Sequence, residues 1–154
     1  MPDREPLIRP LIAGDQPRLA ALFRQIDSER YLEDFAPHPF TETEAERVCS
    51  RPGRDLYVGV SEDEGALVGY GMARGWEEGY DVPSLGLCIL ESHQGLGFGR
   101  ALMDYLVAAC RERGAGRVRL KVKGDNAGAR ALYENAGFAL EPFDDDFLVG
   151  YRAL

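Results

Sequence analysis

The sequence predicts an α/β domain, layered as in α+β folds, with a mixed, mostly antiparallel central sheet flanked by helices. Three observations carry that reading. Stretches of period 2 and period 3.6 follow one another in the order βααββ–β–α–β–α–ββ. Residues 84–90 form an apolar run without polar alternation, as a strand buried on both faces would. That run ends in a glycine-rich turn and a long amphipathic segment, and a strand at 117–123 follows. A helix therefore crosses between two strands, which makes them parallel.

The elements follow in order. Leu7, Ile8, Leu11 and Ile12 make a short opening strand. Asp15 offers an N-cap, and Pro17 fits the first turn of the next helix. Leu19, Leu22, Phe23 and Ile26 form its stripe at i, i+3, i+4, i+7. Tyr31 to Phe40 is rich in aromatics and proline and has no clear period. Thr41 and Glu44 form a T-x-x-E capping box and open a helix through Val48 and Cys49, closed by Pro52 and Gly53. Leu56, Val58 and Val60 alternate with Tyr57 and Gly59. A turn at 62–65 and a strand from Ala66 to Met72 complete a hairpin. Residues 75–81 are a polar loop. After the glycine turn, a helix from about Arg100 to Arg113 carries Leu102, Leu106, Ala109 and Cys110 on one face, with Gly114 as its C′ residue. Val118, Leu120 and Val122 alternate with Arg117, Arg119, Lys121 and Lys123, a half-solvated strand. Asp125 or Asn126 caps a helix through Asn135, and Gly137 ends it. Phe138–Leu140 and Phe147–Tyr151 are two closing strands around Asp144–Asp146.

Composition excludes several classes. A chain of 154 residues suits one domain, 1–154. Its 45% apolar and 29% charged residues are those of a globular protein. No apolar run approaches the roughly 20 residues that cross a bilayer. MPDREPLIRP lacks the basic start and long apolar run of a secretion signal, so the expected setting is cytoplasmic, with no membrane partner. Cys49, Cys88 and Cys110 are scattered, no C-x-x-C occurs and there are two histidines, so neither a metal site nor a disulfide framework is expected. The net charge of −8 argues against nucleic acid and suits a cationic amine. A homodimer is left open.

The chemistry concentrates in Gln94-Gly95-Leu96-Gly97-Phe98-Gly99. Glycines let backbone N–H groups converge on an anion, and a helix start presents unpaired N–H groups and partial positive charge. Two readings stand: a phosphate or pyrophosphate cradle, or a turn kept small for tight packing. The spacing is neither the G-x-G-x-x-G of a dinucleotide fold nor a P-loop.

The Q-x-x-G-x-G pattern, followed by Arg100 and Leu102, resembles motif A of the GCN5-related N-acetyltransferase (GNAT) superfamily. Residues 126–138, NAGARALYENAGF, are similar to the family's N-x-x-A-x-x-L-Y-x-x-x-G-F segment. The close resemblance covers roughly residues 56–140, and the order of elements extends it along the chain. It implies parallel strands at 84–90 and 117–123 that splay apart and admit the pantetheine arm of acetyl-CoA. It further implies that Leu87, Cys88 and Ile89 pair with that arm, that Gln94 to Gly99 with Arg100 hold the pyrophosphate, and that Asn126 bonds the arm or merely caps its helix. Tyr133 is implied as the general acid for the departing thiolate, against a second reading as a core aromatic. Cys88 reads as a small buried residue, because the family transfers the acyl group directly.

The general base stays open. Lys121 occupies the slot where some relatives carry a glutamate. Glu77, Glu78, Asp81 and Ser84 are the candidates, each also readable as loop or packing. The acceptor wall is expected from Tyr31 to Phe40, with His38, Trp76 and Tyr80, or else this is an ordinary Pro-rich turn. The expected function is acetyl transfer from acetyl-CoA to a primary amine of a small molecule. Alternatives are acetylation of a protein N-terminus or lysine, and a non-catalytic acyl-CoA sensor.

Overall fold

The computed structural model describes residues 5–50 and 53–154. Pro52, read as a helix stop, and Met1–Arg4, part of the N-terminal reading, lie outside them. Among the described residues the strands are Leu7–Pro10 (β1), Leu56–Ser61 (β2), Gly69–Arg74 (β3), Ser84–Ile89 (β4), Arg117–Lys123 (β5), Ala139–Pro142 (β6) and Phe147–Ala153 (β7). The helices are Gln16–Ile26 (α1), Glu29–Leu32 (α2), Glu42–Ser50 (α3), Phe98–Glu112 (α4) and Ala127–Asn135 (α5). One sheet runs in the order β1-β2-β3-β4-β5-β7-β6. Every neighbouring pair is antiparallel except β4–β5. No helix is long and apolar enough to cross a membrane among the described residues.

Each face of the sheet carries its own core. Leu56, Val58 and Val60 pack on one face with Leu102, Leu106 and Cys110 of α4. On the other face, Tyr70, Met72 and Cys88 pack with Leu19, Leu22, Phe23 and Ile26 of α1 and with Ala45 and Val48 of α3. The four α1 side chains are at most 1% exposed, and burying each stabilises the fold by about 1.5–3 kcal/mol. The alternation in β2 therefore separates two cores, not core from solvent. Only β5 shows true in-and-out alternation, with Val118, Leu120 and Val122 inside.

Several local expectations change. Asp15 is buried and does not cap α1 with its side chain. It accepts from Ile12 N and pairs with Arg9 at 2.7 Å and with Arg18. The Arg9 hydrogen bond above all holds its carboxyl well below the ordinary range. Thr41 does cap α3, accepting from Glu44 N at 3.1 Å. The strand expected from Ala66 begins at Gly69. Trp76, placed in a polar loop, is in the core with the Arg113 guanidinium 5.2 Å from its ring. A turn brings it inward: Asp55 Oδ1 accepts from the N–H groups of Gly75 and Trp76. The helix after the glycine turn starts at Phe98, and Met103 and Val107 are buried where Ala109 is only partly so. A single turn of helix, α2, runs into the start of the aperiodic segment.

Candidate active site

β4 and β5 pair at one register point, Ser84 with Arg119, reinforced by Arg119 N–H to Pro83 O at 3.0 Å. Beyond it the strands part toward their C-terminal ends. The gap opens into a cavity of about 600 Å³ lined by Leu87, Cys88 and Ile89 on one side and Lys121 and Val122 on the other.

The ladder decides which backbone groups face that gap. Leu90 N–H donates to Val68 O at 2.8 Å, across the β3 side. In an antiparallel pair the direction alternates residue by residue. Cys88 and Gly86 therefore bond β3, while Leu87 and Ile89 turn their N–H and C=O groups toward β5. Of the three residues read as a backbone docking edge, Cys88 contributes a side chain to the cavity and not its backbone. The Ile89 carbonyl accepts from Gln94 Nε2 at 2.9 Å, so Gln94 fastens the strand end to the turn.

Gly95 and Gly97 have φ of 77° and 86°, in the left-handed region that disfavours a Cβ. Gly97 is the residue before α4, whose first internal bond is Ala101 N–H to Gly97 O. The N–H groups of Phe98, Gly99 and Arg100 thus begin the helix without internal partners. All three glycines line the cavity, and a Cβ on Gly95 or Gly97 would meet no protein atom within 4 Å. Leu96 is exposed and Phe98 is 1% exposed in the core, so neither side chain lines the cavity. Arg100 lines it while donating to Asp104 and to Asn135 O.

From α5 come Asn126 and Tyr133. Asn126 lines the cavity and caps its helix, accepting from Ala129 N at 3.2 Å, which leaves its amide N–H groups outside the cap. Tyr133 is 8% exposed with its ring edge-on to Phe138. Burial above all, with Cys88 and Asp34 adding, pushes its hydroxyl up to about 12. Burial likewise pushes the Cys88 thiol to about 12, which leaves almost no thiolate at neutral pH.

The far wall comes from α2 and the loop after it. Tyr31, Asp34 and Phe35 line the cavity. Tyr31 Oη accepts from Glu91 N at 3.0 Å beyond β4, and Glu33 pairs with Lys123 of β5 at 2.9 Å. The segment therefore straps across the gap. The sequence named the region Tyr31 to Phe40 but not Asp34, because the stretch has no period to say which side chains share a face. His38, from the same stretch, is elsewhere. Its Nδ1–H donates to Pro39 O, and its Nε2 accepts from Tyr70 O–H at 2.9 Å. Burial holds it below its ordinary value, within an aromatic core of Phe23, Phe40 and Tyr70. None of the four suggested bases lines the Tyr133 cavity. Glu78, Asp81 and Ser84 line a second hollow of about 680 Å³ with the exposed Tyr80, and Glu77 lies against Gly53. Among the described residues no cluster of three metal-ligating side chains occurs.

A mixed sheet whose one parallel pair parts beside a glycine turn and a helix start is the architecture that the sequence motifs imply. The model of the acetyltransferase (GNAT) family matches residues 20–138, and the chain belongs to that family. It is similar to mycothiol acetyltransferase of Rhodococcus opacus, 31% identical over 86% of this chain and 51% of that protein. It is also similar to the [ribosomal protein bS18]-alanine N-acetyltransferase of Escherichia coli, 44% identical over 30% of this chain and 31% of that one. The solved GNAT domain of S. lividans PAT superposes with a TM-score of 0.80 at 21% identity, over 96% of this chain and 89% of that chain, a likeness of fold. The chain spans about half, or less, of the length of the curated relatives it matches.

Proposed function

We propose that this chain is a cytoplasmic N-acetyltransferase that moves an acetyl group from acetyl-CoA to a primary amine of a small molecule. The observation that carries the reading is one cavity holding three things: the edge of β4 that β5 leaves open, the start of α4 behind left-handed glycines, and a buried tyrosine. These residues fit acetyl-CoA. The Leu87 and Ile89 backbone groups suit the amides of an extended pantetheine arm. The N–H groups from Gly97 to Arg100 suit a pyrophosphate. Acetyl-CoA supplies a thioester, an activated acyl group with a sulfur leaving group.

The chain's own residues supply the rest. A backbone N–H of the β4 edge polarises the thioester carbonyl. Tyr133, still protonated far above neutral pH, gives its proton to the departing sulfur. An alkylammonium must lose a proton before it attacks, and Asp34, the carboxylate of the strap that lines the cavity, holds that ammonium in place. Transfer is direct: a thiol held near 12 makes Cys88 a poor nucleophile.

The longer match to a small-molecule enzyme supports this acceptor class over a protein N-terminus or lysine. The test is thiol release from acetyl-CoA across a panel of amines and peptides. Turnover with a small amine sustains the reading. Turnover with peptides alone selects the protein-acetylating alternative, and CoA binding without any turnover selects a sensor.

A further inference from the structure

Beside the cavity lies a row of cations that the acetyl-transfer reading does not use. Register aligns Arg74, Ser84, Arg119 and Tyr151 across β3, β4, β5 and β7. Residues in register share a face, and Arg117 and Lys121 are the same-face neighbours of Arg119 along β5. Arg74, Arg117 and Arg119 line the hollow of about 680 Å³, and Lys121 lines the cavity of Tyr133. In a chain of net charge −8 this concentration of positive charge is local, not general.

Among the described residues, none of Arg74, Arg117, Arg119 and Lys121 forms an ion pair. Glu78 and Asp81 line the hollow without pairing to them. Asp144 feels the charge of Lys121 but spends its carboxylate on the N–H groups of Asp146 and Phe147. The cations are instead held by rings and neutral oxygens, which orient charge without cancelling it. Arg117 lies 4.6 Å from the Tyr151 centroid, and Lys121 lies 4.1 Å from Phe143 and 5.2 Å from Phe147. Arg119 donates to Ser84 Oγ at 3.4 Å and Arg74 to Pro37 O at 3.2 Å, which leaves most guanidinium N–H groups available.

We infer that the acceptor carries an acidic group, a carboxylate or a phosphate, in addition to its amine, and that Arg119 and Lys121 hold that group, with Arg74 and Arg117 behind them. The inference rests on the acetyl-transfer reading for the amine's role. Arg119 and Lys121 stand two residues apart, about 7 Å along the strand, and Lys121 reaches the Tyr133 cavity. An acid held at Lys121 and the neighbouring Arg119 leaves the amine further along the gap, toward Tyr133. The acceptor is then an amino acid-like or phosphorylated amine. Asp34 meets its ammonium and the β5 cations meet its anion. The charge pattern of the cleft, not the net charge of the chain, selects the substrate.

Matched acceptors test this. γ-Aminobutyrate against its amide isolates the carboxylate, and O-phosphoethanolamine against ethanolamine isolates the phosphate. The acidic member of at least one pair should show kcat/KM about 10- to 100-fold higher, and the winning pair names the anion. Arg119→Gln should erase that preference through KM, Arg119→Lys should restore part of it, and CoA affinity by calorimetry controls for folding. In parallel, each acid is titrated into the CoA-loaded protein and the amide NMR signals of residues 117–123 are followed. Saturable shifts in the native chain that vanish in Arg119→Gln support the anion site even without turnover, and that outcome overturns the transferase reading alone. Equal kcat/KM within both pairs, or turnover without saturable shifts on β5, overturns the anion site and leaves the transferase standing.

Discussion

One wall of the cleft is made of backbone and the other of side chains. The wall proposed for the donor is a contiguous stretch, 87–100. It offers the outward N–H and C=O groups of Leu87 and Ile89, the N–H groups that open α4, and two glycines with positive φ. The wall proposed for the acceptor is assembled from distant segments. Tyr31, Asp34 and Phe35 come from the strap, Arg74 from β3, and Arg119 and Lys121 from β5. Backbone groups bind by conformation, so almost any change of side chain away from the glycines leaves them in place. Side chains bind by identity, so each can be exchanged without disturbing the sheet. The donor wall should therefore fail through shape, and the acceptor wall through charge.

The largest expected effect lies where the walls meet. Tyr133→Phe should lower kcat by about 10²–10⁴-fold and leave CoA affinity within a few-fold, because the ring still packs on Phe138. With the hydroxyl held near 12, the native enzyme should keep its acid catalyst on alkaline titration well past the ordinary tyrosine value, so kcat should show no tyrosine-like fall near pH 10. Full kcat in the phenylalanine variant would return Tyr133 to the core as a plain aromatic.

Next comes the donor wall. A Cβ on Gly99 meets only Leu132, at 3.4 Å, so Gly99→Val fills cavity space with little change inside the protein. CoA affinity should fall at least about tenfold while the melting temperature moves little. Gly97→Val adds the cost of a left-handed valine, about 1–2 kcal/mol, and should lose both affinity and stability. Unchanged calorimetric affinity in both variants would misplace the cradle.

On the acceptor wall, Asp34→Asn should lower kcat/KM for amines by about tenfold, with CoA affinity kept, because only the charge facing the ammonium is removed. If the loss appears in CoA affinity instead, the strap belongs to the donor wall. The smallest effect is Cys88→Ala. Activity should stay within a few-fold, with a stability loss of about 1 kcal/mol for a buried sulfur. A burst of acylated Cys88 in mass spectra would replace direct transfer by a two-step route.

The sequence alone determined what local rules govern. Period 2 and period 3.6 placed nearly every element, the capping box placed α3, and alternating glycines marked the turn before α4. The spacing from Asn126 to Tyr133 put both residues on one face of α5. Each of these depends on neighbours within a few residues, so it survives in one dimension. Tertiary structure decided the rest. Trp76 goes inward because Asp55, some twenty residues earlier, ties its turn. Asp15 gives up its cap because Arg9 and Arg18 converge on it. Asp34 reaches the cavity because Tyr31 and Glu33 are anchored to opposite sides of the gap. Arg74 joins Arg119 only through the register of β3, β4 and β5. The physical reason is the same in each case: a charge or an aromatic ring has no preferred partner until the chain brings one within a few ångströms, and periodicity carries no record of which one that will be.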